Sequence, residues 1–269
     1  MTPKYLAHFG FSEPPFSKEV TDGELWLPPS KARIVEELVE ALHAHESVCL
    51  VGEPGVGKTC VLRALRHRLP EAGFRLTYCH NATLGRRDFY RQLCTALGLA
   101  PSATAAALFH AVTTHVEELG REKLHPVFLL DEAHLLHQDT LDHLHILMNY
   151  EWDRRALLSL ILVGLPELEK RLTMRHNRPL YSRLHRRLSV DALTPDDTAE
   201  YIRLRLGKAG VTRELFASDA LALIHEAASG AHREIDRIAT AALRIATQRK
   251  KKLVERDTLA SVLEASTDS

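Results

Sequence analysis

The sequence lacks the features that would send it to a membrane or to an oxidising compartment. Its longest apolar run, residues 156–166, contains Ser159 and is about half the length needed to cross a bilayer. The N-terminus opens on polar and aromatic residues without the apolar core of a signal peptide, which predicts a cytoplasmic protein with no membrane contact. Cys49, Cys60, Cys79 and Cys94 show no C-x-x-C spacing, so a zinc ribbon or redox dithiol is excluded and reduced core thiols are expected. Neither sign of charge dominates, with 35 Lys and Arg against 35 Asp and Glu. That balance excludes a global field drawing the protein to nucleic acid, and any such binding would come from local clusters.

Histidine is the residue in surplus, at 16. His134, His137, His143 and His145 fall close together, yet no third ligand stands at a persuasive spacing from the first pair, and they read as solvated or core side chains rather than a zinc site. With 45% apolar and 26% charged residues, the 269-residue chain is ordinary globular material, enough for one α/β domain and a smaller partner.

Residues 52–59 read Gly-Glu-Pro-Gly-Val-Gly-Lys-Thr, a complete G-x-x-x-x-G-K-[ST] motif between an apolar run at 47–51 and a helical pattern beginning at Cys60. Gly52, Gly55 and Gly57 permit the tight turn that aims backbone N–H groups at a phosphate, at the positive end of the following helix. The whole stretch, Gly52, Glu53, Pro54, Gly55, Val56, Gly57, Lys58, Thr59 and Cys60, is therefore the predicted ATP-binding loop. Lys58 is expected to reach the β- and γ-phosphates, and the Thr59 hydroxyl to hold Mg²⁺.

Apolar spacing predicts a helix capped by Ser30 ahead of the first strand, a second strand over 74–79, helices to about Leu97 and over 103–120, and an unbroken apolar strand at 126–130 ending in Asp131 and Glu132. A helix over 140–150, a buried strand over 158–164 and a final strand over 188–193 follow. The pattern is wholly helical from Thr194-Pro195-Asp196-Asp197 onward. Strands alternating with helices predict an α/β fold: a P-loop NTPase parallel sheet sandwiched by helices in residues 1–193, then a small all-helical lid in 194–269.

Asp131 at the end of a buried strand is where a Mg²⁺-organising carboxylate belongs, and Glu132 is placed to polarise an attacking water. Asp131-Glu132-Ala133-His134 also spells a helicase box, but about seventy-five mostly helical residues after Leu193 are too few for the second RecA-like domain that reading requires.

The order of phosphate loop, paired acids, third apolar strand, Ser182-Arg183-Leu184 and a lid carrying Gly230-Ala231-His232-Arg233 resembles the AAA+ ATPases. Tyr5-Leu6, Phe9-Gly10-Phe11, Glu13-Pro14-Pro15-Phe16, Pro29-Ser30 and Gly164-Leu165-Pro166-Glu167-Leu168 are similar to the ExeA-type branch, with its TnsC, TniB, IstB and MuB relatives that assist DNA transposition. The resemblance implies Arg183, or Arg187 as its alternative, as an arginine finger acting on a neighbouring subunit, hence self-association into a ring or filament. It also implies Arg233 as a γ-phosphate sensor on the lid, and N-terminal aromatics near the adenine or in the core. One departure stands out: Gly164 and Leu165 occupy the strand end where relatives place a polar sensor, which predicts slow hydrolysis or a sensor supplied from elsewhere.

Three basic clusters are candidates for duplex DNA contacts to the backbone: Arg86, Arg87 and Arg91; Arg171, Arg175 and Arg178; and residues 249–252. The resemblance favours the first. Two functions follow from it. The first is an ATP-dependent, DNA-binding regulator that oligomerises on target DNA and recruits a transposase. The alternative is a secretion-associated ATPase of the ExeA kind acting on protein partners. The membrane segment and peptidoglycan-binding region of ExeA relatives have no counterpart in this sequence, which weighs toward the first.

Overall fold

The computed structural model describes residues 3–17, 19–79, 83–100, 102, 104–150 and 156–267. The polypeptide divides into two compact units, one made of residues 29–53 and 58–190, the other of residues 1–28, 54–57 and 191–269.

The chain opens with α1 (Lys4–Phe9), closed by Gly10 in the left-handed region at φ +83°, whose N–H reaches the Leu6 carbonyl at 2.9 Å. Six residues are too few to show a helical period, which is why the proline- and aromatic-rich opening reads as irregular.

The first unit begins with α2 (Pro29–His43). Pro29, pre-set in φ and needing no N–H partner at a helix start, opens it, so Ser30 lies inside the first turn and is not the cap its residue type suggests. There follow β1 (Ser47–Val51), α3 (Lys58–Arg68), β2 (Phe74–Cys79), α4 (Arg86–Ala96), α5 (Ala105–Arg121), β3 (His125–Leu130), α6 (Gln138–Leu147), β4 (Ser159–Gly164), α7 (Glu167–Leu172), α8 (Arg178–Tyr181) and β5 (Leu184–Ser189). The strands form one parallel sheet in the order β2-β3-β4-β1-β5. β1, β3 and β4 are buried along their whole length, as continuous apolar strands covered on both faces must be. This is the α/β fold expected of the sequence.

The last strand departs from expectation. It runs over Leu184–Ser189, not over 188–193. β5 is an edge strand, and Arg186 and Arg187 on it disguise its pattern; Arg186 is anchored by Glu46 at 2.8 Å and Glu40 at 3.3 Å. Val190 adds one further bond to Val51 at 2.8 Å. Val190 and Leu193 imitate a strand because both are buried, although Leu193 bonds the Gly230 carbonyl instead of the sheet.

The second unit is helical: α1, α9 (Pro195–Lys208), α10 (Ser218–Ala228), α11 (His232–Gln248) and α12 (Arg256–Thr267). Thr194 and Asp197 make a reciprocal capping box at the start of α9, both bonds 3.1 Å, with Pro195 in the first turn. Tyr5, Phe9, Phe11 and Phe16 are buried in this unit's core with Ile202, Leu206 and Ile238, so the aromatic lead-in serves as core. Arg205 fastens it further, donating to the carbonyls of Pro15 and Ser17, each at 2.6 Å.

Candidate nucleotide site

At the end of β1, Gly52 donates to the Gly164 carbonyl of β4 at 3.2 Å, and the chain then turns through Gly55 at φ +78° and Gly57 at φ +105°. Both angles are ones that side-chain-bearing residues seldom adopt, so the glycines of the motif are required by the turn itself. Glu53 and Pro54 are exposed and Val56 is buried. Lys58, the first residue of α3, folds back over the loop, its ammonium on the carbonyls of Gly52 at 2.7 Å and Glu53 at 3.1 Å. Thr59 is exposed on the first turn of α3, and Cys60 beside it is half-buried. A helix N-terminus and a lysine ammonium at a strand end are groups suited to polyphosphate.

Residues 54–57 pack with the helical unit. A Cβ placed on Gly55 would stand 3.2 Å from the Cβ of Arg233 and 3.7 Å from that of Ala231. Arg233, the expected sensor, thus sits beside the loop, on the first turn of α11.

β3 delivers the paired acids. Asp131 donates its N–H to the Cys79 carbonyl at 3.0 Å, and its carboxylate accepts two bonds: Oδ1 from the N–H of Glu132 and Oδ2 from the hydroxyl of Tyr78, both at 2.9 Å. Burial first, and Asp131 next, hold the Tyr78 phenol above its ordinary range, so the proton stays on the tyrosine and the bond runs from phenol to carboxylate. Glu132 occupies the left-handed region at φ +53°, a strained conformation for a non-glycine residue. The Asp131 carboxylate at the C-terminal edge of the sheet and the Thr59 hydroxyl at the start of α3 are hard oxygen donors, suited to Mg²⁺ held jointly with phosphate. Among the described residues no cluster of three or more His, Cys, Asp or Glu side chains could hold a metal by itself.

At the end of β4 the backbone N–H of Leu165 lies 3.4 Å from Nδ1 of His134, and the same nitrogen lies 3.4 Å from Oε2 of Glu132. Arg171 donates to the carbonyl of His134 and, at 2.8 Å, to that of Leu136, while the buried Asn177 amide donates to the Arg171 carbonyl at 2.8 Å. Arg171, a DNA candidate by charge, is spent on holding this turn.

Of the finger candidates, Arg183 sits at the start of β5 and Arg187 within it. Arg183 immediately precedes the strand and donates to the Pro179 carbonyl at 3.0 Å; Arg187 lies over the Tyr181 ring at 4.0 Å. Ser47 is level with Leu184 and Val51 with Ser189, so Arg183 is about 16 Å along the sheet from its own phosphate loop.

Arg86 and Arg87 are exposed in the first turn of α4, where the helix dipole disfavours cations, and Arg91 is paired with Asp88 at 2.9 Å. In the C-terminal basic run Lys251 is held by Glu255 at 3.0 Å and Asp257 at 2.7 Å. The histidines diverge: His137 bonds the Thr83 carbonyl at 3.0 Å and His143 the Tyr90 hydroxyl at 3.0 Å. Cys49 and Cys79 are buried, and burial pushes both thiols up to about 12, which keeps them protonated and unreactive.

Tyr78, His134 as a side chain, and Arg171 as a brace are contributors that residue patterns missed. The only sequence signal was negative, the want of a polar side chain at 164–165.

Residues 39–172 match the family model described as AAA domain. Over 242 residues the chain is 32% identical to General secretion pathway protein A of Aeromonas hydrophila, covering 89% of this chain and 44% of that protein, so it spans less than half the relative's length. In three dimensions it is similar to CDC6P from Pyrobaculum aerophilum (TM-score 0.66, 19% identity, 89% of this chain and 67% of that one). It is also similar to the ORC1 protein of Aeropyrum pernix in complex with DNA (0.65, 19%, 98% and 69%) and to the RuvB Holliday junction branch migration motor of Thermotoga maritima (0.60, 16%, 93% and 73%). At such identities the structural likenesses show a shared fold.

Proposed function

We propose that this chain, which matches the AAA domain model and is 32% identical to General secretion pathway protein A over 242 residues, is a Mg²⁺-dependent, slowly hydrolysing AAA+ ATPase switch acting on protein partners. The observation that carries this reading is the phosphate loop, with Lys58 folded over it, on the same sheet edge as Asp131 and Glu132, in a chain 32% identical to that relative over 89% of its length. Bound ATP and Mg²⁺ supply the reacting phosphoryl group and the cation that neutralises it. The protein's share is positional. Loop N–H groups and Lys58 hold the phosphates, Thr59 and Asp131 hold the metal, Glu132 orients water, Arg233 reaches the γ-phosphate, and Arg183 of a neighbouring copy neutralises charge in transfer. Gly164 and Leu165 offer no side-chain hydrogen bond at the strand end, which supports slow turnover and hence a timer rather than a motor.

The second reading, sequence-tolerant DNA binding with recruitment of a transposase, is favoured by Arg86 and Arg87, cations exposed where their own helix dipole opposes them. One pair of assays separates the two. Phosphate release is measured for the wild type and Glu132→Gln, and anisotropy of a labelled arbitrary-sequence duplex is titrated at two salt concentrations in ATP, in ADP and without nucleotide. Glu132-dependent hydrolysis without ATP-dependent duplex binding is the expected result. Salt-sensitive binding only in ATP, lost in Arg86→Ala/Arg87→Ala, would move the assignment to DNA.

A further inference from the structure

We propose that His134 is the positioning residue of this ATPase, seated between the Glu132 carboxylate and the end of β4 and so supplying from the neighbouring turn the polar contact that Leu165 does not. The inference rests on the ATPase reading above and adds a residue to it.

Three features of the structure lead there. The His134 ring is inserted, with its side chain 13% exposed against 50% for Glu132, and its Nδ1 stands 3.4 Å from both Glu132 Oε2 and the Leu165 N–H. The space it uses is made by a missing side chain. A Cβ on Gly164 would come to 3.2 Å from both the backbone N and Nδ1 of His134, and to 3.1 Å from Cδ2 of Leu168. Contacts that tight force the neighbour to move, so the glycine that removes a sensor from the strand also admits the imidazole. The turn is braced from behind: Arg171 grips the carbonyls of His134 and Leu136, Asn177 bonds the Arg171 carbonyl, and Gln138 bonds Asn177 at 2.6 Å. A brace on the backbone fixes where the ring stands, as orienting a catalytic carboxylate requires.

One ring nitrogen faces both neighbours. In the structure Nδ1 accepts from the Leu165 N–H with Glu132 Oε2 beside it at 3.4 Å; with the proton on that nitrogen the ring would serve Glu132 instead, one neighbour at a time. A shift of the backbone at 165, at the strand end where relatives carry a polar sensor, therefore bears on the nitrogen that also faces the carboxylate.

The test compares wild type, His134→Phe, which fills the space without a polar atom, and His134→Asn, whose amide stands near the place of Nδ1. Single-turnover and steady-state hydrolysis are measured alongside fluorescent-nucleotide affinity. The expected result is a kcat about tenfold or more lower for His134→Phe with nucleotide affinity and KM within about twofold, and recovery to within about threefold for His134→Asn. The same comparison with His134→Ser, whose hydroxyl is too short to reach Glu132, keeps the test open should the Phe variant fail to fold. An active wild type with an equally active His134→Phe or His134→Ser overturns the role of His134 alone. A wild type that binds ATP without hydrolysing it overturns the ATPase reading, and this role falls with it.

Discussion

Tyr78 on β2 donates its hydroxyl to Oδ2 of Asp131 at 2.9 Å, across the register that sets Tyr78 beside Leu129. The carboxylate expected to organise Mg²⁺ therefore has a tyrosine proton on one oxygen and the Glu132 N–H on the other. A hydrogen bond to a carboxylate oxygen draws off electron density that a metal on the same oxygen would use. Tyr78 is half-exposed, so the bond is worth about 1 kcal/mol, the low end for a charged acceptor. Tyr78→Phe is expected to lower the Mg²⁺ concentration for half-maximal nucleotide binding by about two- to tenfold. A rise instead would make Tyr78 an orienting group for the metal-bound carboxylate.

Lys58 spans the Gly52 and Glu53 carbonyls, a place from which its ammonium moves onto phosphate with little rearrangement. Lys58→Ala is expected to weaken nucleotide binding by about a hundredfold, a loss of roughly 3 kcal/mol from a charge-assisted contact. Glu132→Gln should leave binding intact and abolish turnover. Equilibrium titration with a fluorescent nucleotide, beside phosphate release, separates the two effects.

Arg183 precedes β5, a strand's length from its own phosphate loop, so a finger at this position serves another copy. Arg183→Ala should lose turnover by about a thousandfold with its nucleotide affinity unchanged. Mixing it with Lys58→Ala should restore part of the activity, since one partner brings the loop and the other the arginine. Two inactive variants that stay inactive together would remove Arg183 from the chemistry and turn attention to Arg187, held over Tyr181.

Gly230 adopts φ +68°, and a Cβ on it would fall 2.3 Å from the Leu193 carbonyl oxygen, a contact no side-chain adjustment relieves. Gly230→Ala should destabilise the helical unit by about 3 kcal/mol or more, read as a lowered thermal midpoint. The Leu193 N–H bonds the Gly230 carbonyl at 3.0 Å, so the loss should extend to the entry of α9.

Asp236 is half-buried on α11, accepting from the Tyr201 hydroxyl at 2.8 Å, and desolvation raises its pKa from 3.8 to about 6 despite that bond and nearby Arg205. The native state thus holds this proton more tightly than the unfolded chain does. Its contribution is most favourable below pH 4 and is lost as pH rises to about 6, at a cost on the order of 3 kcal/mol. Asp236→Asn keeps an acceptor for Tyr201 without the charge. It is expected to melt higher than wild type at pH 7.5, with the gap narrowing below pH 6 and gone near pH 4.

What was legible in the sequence was what is local. The phosphate loop and the pair Asp131-Glu132 are contiguous motifs whose residue types dictate their own backbone, and the buried strands announce themselves as apolar runs. What was hidden depends on strand order and on pairing across long separations. Tyr78 reaches Asp131 because β2 lies beside β3, which no spacing reveals. The arginines of β5 concealed a strand, since the partners of Arg186, Glu40 and Glu46, lie far back along the chain. Charge clusters were visible as charge, but not that Arg171 would be spent on carbonyls and Lys251 on carboxylates.

β1, which ends in the phosphate loop, lies between β4 and β5, and the bond from Leu160 to the Ser47 hydroxyl closes a separation of 113 residues. During synthesis the first strand therefore waits, with both edges unpaired, until nearly the whole sheet has left the ribosome. Contacts of such long range are slow to form and leave apolar strands exposed in the interval. The loop follows a strand bonded on both sides, Gly52 to Gly164 and Val190 to Val51, so nucleotide held there would add its stabilisation to the finished sheet. ATP would act as a seal on the completed domain, and a nascent chain stalled before β5 would depend on chaperones instead of on its own ligand.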